Sequence, residues 1–240
     1  MAKYKRYKKE LGYSYTLGIF LTIELLNNKP DKVLEVIISS QTEDSLGIDK
    51  IISLCQKKGL TYSVNDKLIN ILSPKGNCYA VGIFSTYNDP MNNESNHIVL
   101  VNPSDSGNLG TIIRAALGFN IINLAIIRPA VDIFDPKTIR ASMGSLFSIN
   151  FTYYQSFSEY EENHPKHHLY PFMLQAKKKL KDAPKHFPFA LVFGNEATGL
   201  NQDFIDKGTS VIIPHSNRID SLNLSVAASI AMYEFTKEEM

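Results

Sequence analysis

Residues 97–127 read HIVLVNPSDSGNLGTIIRAALGFNIINLAII, and this stretch decides the fold class. Its two ends, 97–101 and 123–127, are uninterrupted apolar runs of the kind found in strands buried on both faces. Between them, apolar residues recur at helical spacing from about 109 to 117. Two strands joined by a helical crossover run parallel. The sequence therefore predicts an α/β domain built on a parallel sheet.

The same alternation of strands and helices continues on both sides of this stretch. The further strand candidates are 32–38, 60–64, 79–84, 189–193 and 210–213, and the further helices are one through Ile48, Ile51, Ile52 and Cys55 that ends at Gly59 and one over 222–235. The polar run NDPMNNESN at 88–96 contains a proline and is typical of a linker. We predict an N-terminal α/β domain at 1–88, a linker at 89–96 and a second domain at 97–240.

Composition indicates a globular protein. The 240 residues are 44% hydrophobic and 20% charged, which excludes fibrous and disordered classes. No stretch approaches the roughly 20 uncharged apolar residues of a membrane helix, and MAKYKRYKKE at the start lacks a hydrophobic signal core. We expect a cytoplasmic protein with no membrane partner. Cys55 and Cys78 fit neither a zinc site nor a disulfide framework and are predicted to be buried thiols.

Charge is distributed unevenly although the net charge is only +1. Residues 1–88 carry 12 basic and 8 acidic side chains, and the remainder is net negative. The first ten residues mix five cations with two tyrosines, a combination suited to phosphate contacts and base stacking. The alternative is a solvated basic tail.

The histidines of HPKHH at 164–168 have the H-x-x-H spacing of some metal sites. Without nearby carboxylates or cysteines, this pattern in a polar stretch more often marks solvated surface. We predict no metal.

The chain lacks the Walker A and G-x-G-x-x-G patterns, which weakens kinase, GTPase and dehydrogenase interpretations. Instead, three polar segments, of which the first two contain glycine, each follow a predicted strand, where α/β sheets place ligands. The first, NPSDSGNLGTIIR at 102–114, contains Asn108 and Arg114. Arginine grips phosphate with a bidentate fork. The alternative is a helix cap at Asn108 and a surface charge at Arg114.

The other two segments contain the remaining candidates. GNEATGL at 194–200 places Glu196 between glycines that allow close approach to a ligand, or else starts a helix. The third segment is Ile213-Pro214 followed by RIDSLNLS at 218–225. Serine or aspartate at such a helix start is usually a cap, but Asn223 has less structural reason to lie within the first turn of the helix.

Together these segments resemble the SpoU (TrmH-type) family of S-adenosylmethionine-dependent RNA ribose methyltransferases, in the SPOUT superfamily. The resemblance covers about residues 96–240 and is carried by NLGTIIRAA at 108–116, RASMGS at 140–145, GNEATGL at 194–200 and Ile213-Pro214 with SLNLSVAA at 221–228. Residues 1–88 more loosely resemble the family's substrate-binding domain. One departure is Asn120, where the family usually has glycine; asparagine tolerates a left-handed turn.

The resemblance implies a trefoil-knotted domain, a homodimer and S-adenosylmethionine as cofactor. It assigns Arg114 to the substrate phosphate and the attacking 2′-hydroxyl, whose proton passes to Arg114 or to the phosphate. It gives Asn108, Glu196, Ser221 and Asn223 the role of orienting substrate and Arg114. The backbone around Gly194, Ile213, Leu222 and Asn223 would hold the cofactor, and no metal is required.

The separate basic N-terminal domain resembles the ribosomal-RNA branch, so ribosomal RNA is the expected substrate. Three alternatives stay open: a transfer-RNA ribose methyltransferase, a base methyltransferase of the same superfamily, and a non-catalytic RNA-binding member of the fold. The SLNLS sequence fits the ribose enzymes better than the base enzymes, and the complete set of candidate side chains disfavours the non-catalytic alternative.

Overall fold

The computed structural model describes residues 4–41, 45–74 and 76–238. The chain splits into two compact units, unit 1 with Met1–Tyr87 and Asp132–Ser148, and unit 2 with Asn88–Val131 and Ile149–Met240. Residues 132–148 thus group with unit 1, whereas the predicted bounds leave them in the second domain. The physical reason is aromatic packing, since the rings of Phe134 and Phe147 lie 6.0 and 5.4 Å from that of Phe84.

The secondary structure alternates strands and helices along the chain. Within the described ranges, the strands are β1 (Tyr13–Tyr15), β2 (Val33–Ile38), β3 (Tyr62–Val64), β4 (Ala80–Ser85), β5 (His97–Val101), β6 (Asn123–Ile127), β7 (Asn150–Tyr154), β8 (His168–Pro171), β9 (Lys178–Lys179), β10 (Phe189–Phe193) and β11 (Val211–Ile212). The α-helices there are α1 (Ile19–Asn28), α2 (Ser45–Lys58), α3 (Asp66–Leu72), α4 (Ser106–Gly118), α5 (Pro136–Ala141), α6 (Phe157–Asn163) and α7 (Leu224–Thr236).

Unit 1 is built on a four-stranded sheet in the order β1-β4-β2-β3. Strand β4 is antiparallel to β1 and β2, and β2 and β3 are parallel. The predicted strands β2, β3 and β4 and helix α2 are confirmed, and Gly59 ends α2 with φ +66°. Strand β1 and helices α1 and α3 have no counterpart in the sequence prediction. Cys55 and Cys78 are buried free thiols, as predicted.

The basic start of the chain packs on unit 1 with its aromatic side chains. Tyr4 is buried in an apolar cluster with Tyr15 and Ile37, so the prediction that this tyrosine stacks on bases is wrong. The cations from Lys5 to Lys9 are exposed, and Arg6 donates a hydrogen bond to the Ile71 carbonyl at 3.1 Å. Lys3 belongs to the same predicted arm but lies outside the described residues.

Unit 2 is built on a five-stranded sheet in the order β7-β6-β5-β10-β8, in which every neighbouring pair is parallel. The parallel sheet predicted from residues 97–127 is therefore confirmed, and its strand β5 has the predicted bounds. Helix α4 ends at Gly118, and Asn120, two residues beyond it, has a φ of +56°, the left-handed conformation expected there. The trefoil knot stays a prediction, because strand order and register do not define how the chain threads.

The polar region after β7 differs from its predicted surface character. His164 and His167 are only 6% and 7% exposed, so the prediction of solvated histidines is wrong. Their rings pack against Tyr154, Tyr160 and His97, which cover them from water. None of the helices in the described ranges has the length and apolarity required to span a bilayer.

Candidate functional site

The first two polar segments meet because β5 and β10 are neighbours in the sheet. Leu100 pairs in register with Phe193, so the two strands end side by side. From β5 the chain continues through α4 to β6 on one side, while β8 lies on the other side of β10. Such a switch point leaves a crevice at the carboxyl ends of the strands, where open α/β sheets bind ligands.

Glu196 joins the loop after β10 to the start of α4. Its Oε2 accepts hydrogen bonds from the Ser104 backbone N–H at 3.0 Å and the Ser104 hydroxyl at 2.6 Å. Its Oε1 accepts from the Asp105 N–H at 3.1 Å and from Asn108 Nδ2 at 3.4 Å. Partial burial raises the pKa of the Glu196 carboxyl, but the bonds from Ser104 and Asp105 outweigh it and hold the pKa below 4.5. The side chain is therefore an anion at neutral pH.

Asn108 links this contact to the third segment. Its Oδ1 accepts a hydrogen bond from Asn223 Nδ2 at 3.0 Å. Glu196 is 88 positions from Asn108 in the sequence, and Asn223 is 115 positions from it. The three side chains nevertheless form one hydrogen-bonded chain. The structure thus brings three of the predicted site residues into a single group, which is called the Glu-Asn-Asn chain below.

Helix capping at this site differs from the sequence prediction. Helix α7 begins at Leu224 rather than 222, and Asn223 is its N-cap, with Oδ1 accepting from the N–H groups of Ser225 and Val226. Asn223 therefore has a structural reason for its position, which the sequence prediction did not give it. The cap of α4 is Asp105, whose Oδ1 accepts from the Asn108 N–H at 2.7 Å, so Asn108 itself does not cap.

A cavity of about 220 Å³ lies against the loop after β10. Gly194, Ile213, Leu222 and Ser221 all line it, as the predicted cofactor and substrate roles require, whereas Asn223 is not among its lining residues. The cavity wall also includes Phe172, Met173, Leu174, Gln175, Leu200 and His215. Of these, 172–175 belong to the polar stretch before residue 186, where no sequence signal pointed to a binding role.

Gly194 can only be glycine in this loop. A Cβ built on it would lie 2.1 Å from the Gly199 carbonyl carbon and 2.3 Å from the Leu200 nitrogen. The approach is held by the Gly199 N–H, which donates to the Asn195 carbonyl at 2.9 Å. Asn195, which had no predicted role, fixes the loop further, because its Nδ2 donates to the Asn102 carbonyl at 2.8 Å.

Arg114 stands apart from the Glu-Asn-Asn chain. It is exposed on α4, nearly two turns beyond Asn108, and it makes no hydrogen bond or ion pair within the described part of the chain. Ser221 is exposed at the rim of the cavity and is likewise outside the hydrogen-bonded group. The Glu-Asn-Asn chain therefore contains three of the five predicted catalytic residues. The guanidinium of Arg114 lies outside it and is exposed to solvent.

Comparison with known proteins gives a family match over the second half of the chain. The model of the SpoU rRNA Methylase family matches residues 95–233. The uncharacterized tRNA/rRNA methyltransferase slr1673 of Synechocystis sp. is 27% identical over 179 residues, which are 72% of this chain and 64% of that protein. The chain thus aligns with less than two thirds of that relative.

Other known proteins match nearly the whole chain. The 23S rRNA (guanosine-2′-O-)-methyltransferase RlmB of Acinetobacter baylyi is 25% identical over 94% of this chain and 98% of that protein. The AdoMet-bound rRNA methyltransferase of Sinorhizobium meliloti is 25% identical, with a TM-score of 0.83 over 96% of this chain and 89% of that one. A solved structure described as giving insights into the 2-OH methylation of C/U34 on tRNA is 26% identical. Its TM-score is 0.56, over 62% of this chain and 98% of that one.

Proposed function

We propose that this chain, which belongs to the SpoU rRNA methylase family, transfers a methyl group from S-adenosylmethionine to a ribose 2′-hydroxyl of ribosomal RNA. The observation that carries the proposal is the Glu-Asn-Asn chain. It joins side chains from all three polar segments beside one cavity at the carboxyl ends of parallel strands. Residues that serve only as separate caps or surface charges have no reason to converge in this way.

The cavity suits S-adenosylmethionine. Phe172, Leu200 and Leu222 give it apolar walls for a purine, and the loop at Gly194 presents its backbone directly because no Cβ fits there. When bound, S-adenosylmethionine supplies a methyl group that its sulfonium already makes electrophilic. The protein is left with positioning and with removal of the hydroxyl proton.

Glu196 acts as a positioning residue. As an anion it accepts hydrogen bonds at the N-terminus of α4, where the helix dipole also favours negative charge. It thereby fixes the helix from which Asn108 and Arg114 project. A carboxylate with a lowered pKa and filled acceptor sites is a poor proton acceptor, so we do not assign it the role of general base.

Arg114 is assigned to the substrate phosphate beside the attacking hydroxyl. Its guanidinium is exposed and unpaired among the described residues, and arginine remains charged at working pH. A planar fork that has no partner in the protein is suited to a phosphate. Ser221, at the rim of the cavity, is assigned to the substrate side of the same site.

Ribosomal RNA is favoured by what unit 1 adds. Two of the proteins named as rRNA methyltransferases align over 94% and 96% of this chain, and the protein acting on C/U34 of tRNA aligns over 62%. Unit 1 exposes the cations of its basic start, which suit phosphate contacts. These observations support unit 1 as the RNA-selecting part.

A homodimer is supported by the surface of α7. Val226, Ile230 and Tyr233 are 46%, 38% and 52% exposed and are spaced to form one apolar stripe. Helix α7 packs on α4, which carries Arg114. A second copy on this stripe would surround Arg114 with protein and complete the site.

The test is to map 2′-O-methyl groups in RNA from cells with and without the protein. We expect one ribosomal position to lose its methyl group and to regain it with the wild-type gene but not with Arg114→Ala. Arg114→Lys should restore little, because an ammonium lacks the fork. Calorimetry should give both variants nearly wild-type cofactor affinity, and light scattering should give the mass of two chains. Changes confined to transfer RNA would refute the ribosomal assignment, and unchanged RNA would refute methyl transfer.

A further inference from the structure

Three buried histidines form a cluster in unit 2. His97 is fully buried, His164 is 6% exposed and His167 is 7% exposed. One ring nitrogen from each lies within 4.8 Å of the others. His97 is the first residue of β5, whereas the candidate site lies at the carboxyl ends of the strands. The cluster is therefore separate from the methyl-transfer chemistry.

The hydrogen bonds of His97 and His167 fix which of their ring nitrogens carry protons. Nε2 of His97 lies 2.9 Å from the Asn92 carbonyl, and Nε2 of His167 lies 2.9 Å from the Ser95 carbonyl. A carbonyl only accepts, so both Nε2 atoms are protonated and both Nδ1 atoms hold lone pairs. Metal-bound histidines are oriented by this same bond from the second nitrogen to a carbonyl. Tyr154 occupies the corresponding place at His164, with its hydroxyl 2.6 Å from Nε2.

Two of the Nδ1 atoms are unsatisfied. Within the part of the chain that the structure describes, Nδ1 of His164 and Nδ1 of His167 are buried and have no hydrogen-bond partner. Buried polar atoms without a partner destabilise the fold, so the pair of unsatisfied nitrogens calls for a ligand. Nδ1 of His97 is 3.0 Å from the Tyr160 hydroxyl, which can donate a hydrogen bond to its lone pair.

The rings are also spaced as in a metal site. Zinc–nitrogen bonds of about 2.0–2.1 Å at tetrahedral angles place ring centroids roughly 5 Å apart. The centroids here are 3.9 Å apart for His97 and His167, 4.8 Å for His97 and His164, and 5.6 Å for His164 and His167. With one ring nitrogen from each histidine already within 4.8 Å of the others, the three rings can face a common ion.

We propose that His97, His164 and His167 bind one divalent transition-metal ion of the zinc class through their Nδ1 atoms. Imidazole nitrogens suit zinc, copper and nickel rather than magnesium or calcium. Tyr160 would give up its bond to His97 and lie beside the open coordination position. The ion would fasten the start of β5 to the turn that follows α6, so its role is structural.

The test uses full-length protein freed of metal with a chelator and then titrated with zinc chloride by calorimetry. One ion per chain is expected, and cobalt substitution should give the visible absorption of a tetrahedral site. His164→Gln and His167→Gln should each weaken zinc binding by more than about 100-fold, beyond the 10–100-fold typical of outer partners. Tyr154→Phe, which removes an outer partner, should weaken it about tenfold.

The matched control is His186→Gln. This histidine is exposed and its ring lies 4.7 Å from that of His168, so it reports zinc held by surface imidazoles. Zinc binding unchanged by His164→Gln and His167→Gln, or lost in His186→Gln, would overturn the proposal. Variant folding is checked by circular dichroism in chelator. Anomalous diffraction at the zinc edge from wild-type crystals decides independently, since a peak elsewhere or none at all refutes the site.

Discussion

Replacing Gly194 by alanine tests whether the close backbone approach beside the cavity is required. The added Cβ would lie 2.1 Å from the Gly199 carbonyl carbon, whereas ordinary contact begins at 3.4 Å. The atoms it meets are backbone, so no side-chain rotation relieves the overlap. The loop from Asn195 to Gly199 must move by about an ångström. A displacement of this size in a functional site can reduce function about 100-fold.

The stability cost follows from two contributions. Overpacking costs typically about 1–3 kcal/mol. Opening the loop also breaks the 2.9 Å bond from the Gly199 N–H to the Asn195 carbonyl, a loss of about 1 kcal/mol. The sum is about 2–4 kcal/mol, which at 2–4 °C per kcal/mol lowers the melting temperature by roughly 5–15 °C.

The assay pairs thermal unfolding with calorimetric titration of S-adenosylmethionine. We expect Gly194→Ala to melt lower and to bind the cofactor about 100-fold more weakly. Gly118→Ala is the matched control, because its Cβ meets nothing within 4 Å in helix α4 and should stabilise by up to about 1 kcal/mol. Wild-type melting and affinity in Gly194→Ala would refute the reasoning about this loop.

Two further predictions for unit 2 concern the pH dependence of its stability and the substitution Asn223→Asp. Burial lowers the pKa of His97 to about 3 and that of His164 to about 4, against 6.5 when unfolded. The unfolded chain therefore binds more protons than the folded chain below pH 6.5. Urea titrations in chelator should show the free energy of unfolding falling, as the pH is lowered from 7 to 5, by up to about 1.4 kcal/mol per pH unit for each histidine. A free energy of unfolding that does not change with pH would contradict the burial of these histidines. Asn223→Asp keeps the cap but removes the donor to Asn108, so the melting temperature should change by less than about 3 °C. Methyl transfer should fall at least about tenfold in kcat/KM, and full activity would mean that this bond is not used.

The sequence predicts the three central strands of the unit 2 sheet, β6, β5 and β10, because they are continuous apolar runs, whereas the outer strands β7 and β8 have no counterpart in the sequence prediction. The run at 97–101 becomes β5 and that at 189–193 becomes β10 with unchanged bounds. What sequence cannot give is which strands are neighbours. Glu196 accepts from the N–H groups of Ser104 and Asp105, which are 92 and 91 positions away in the sequence, only because β10 lies beside β5.

The errors have a common cause, which is tertiary burial of residues that look polar in sequence. Tyr4 sits among lysines yet is buried, and His164 and His167 lie in a polar run yet are covered by aromatic rings. For the histidines, the one available signal was His97 at the head of an otherwise apolar strand. A polar residue in such a run is buried with it and needs a partner.

Asn223 shows why capping and function are not competing interpretations of one residue. Its Oδ1 accepts from the first turn of α7 while its Nδ2 donates to Asn108. Serine, threonine and aspartate also cap helices. Only an amide such as that of asparagine holds a carbonyl acceptor and an N–H donor on one rigid group. Asparagine therefore ties the position of α7 to that of α4, and through Asn108 to the anion of Glu196. Fewer residue types can both cap one helix and hydrogen-bond to a second helix than can do either alone. The restriction to asparagine at 223, rather than the cap itself, therefore indicates the functional site.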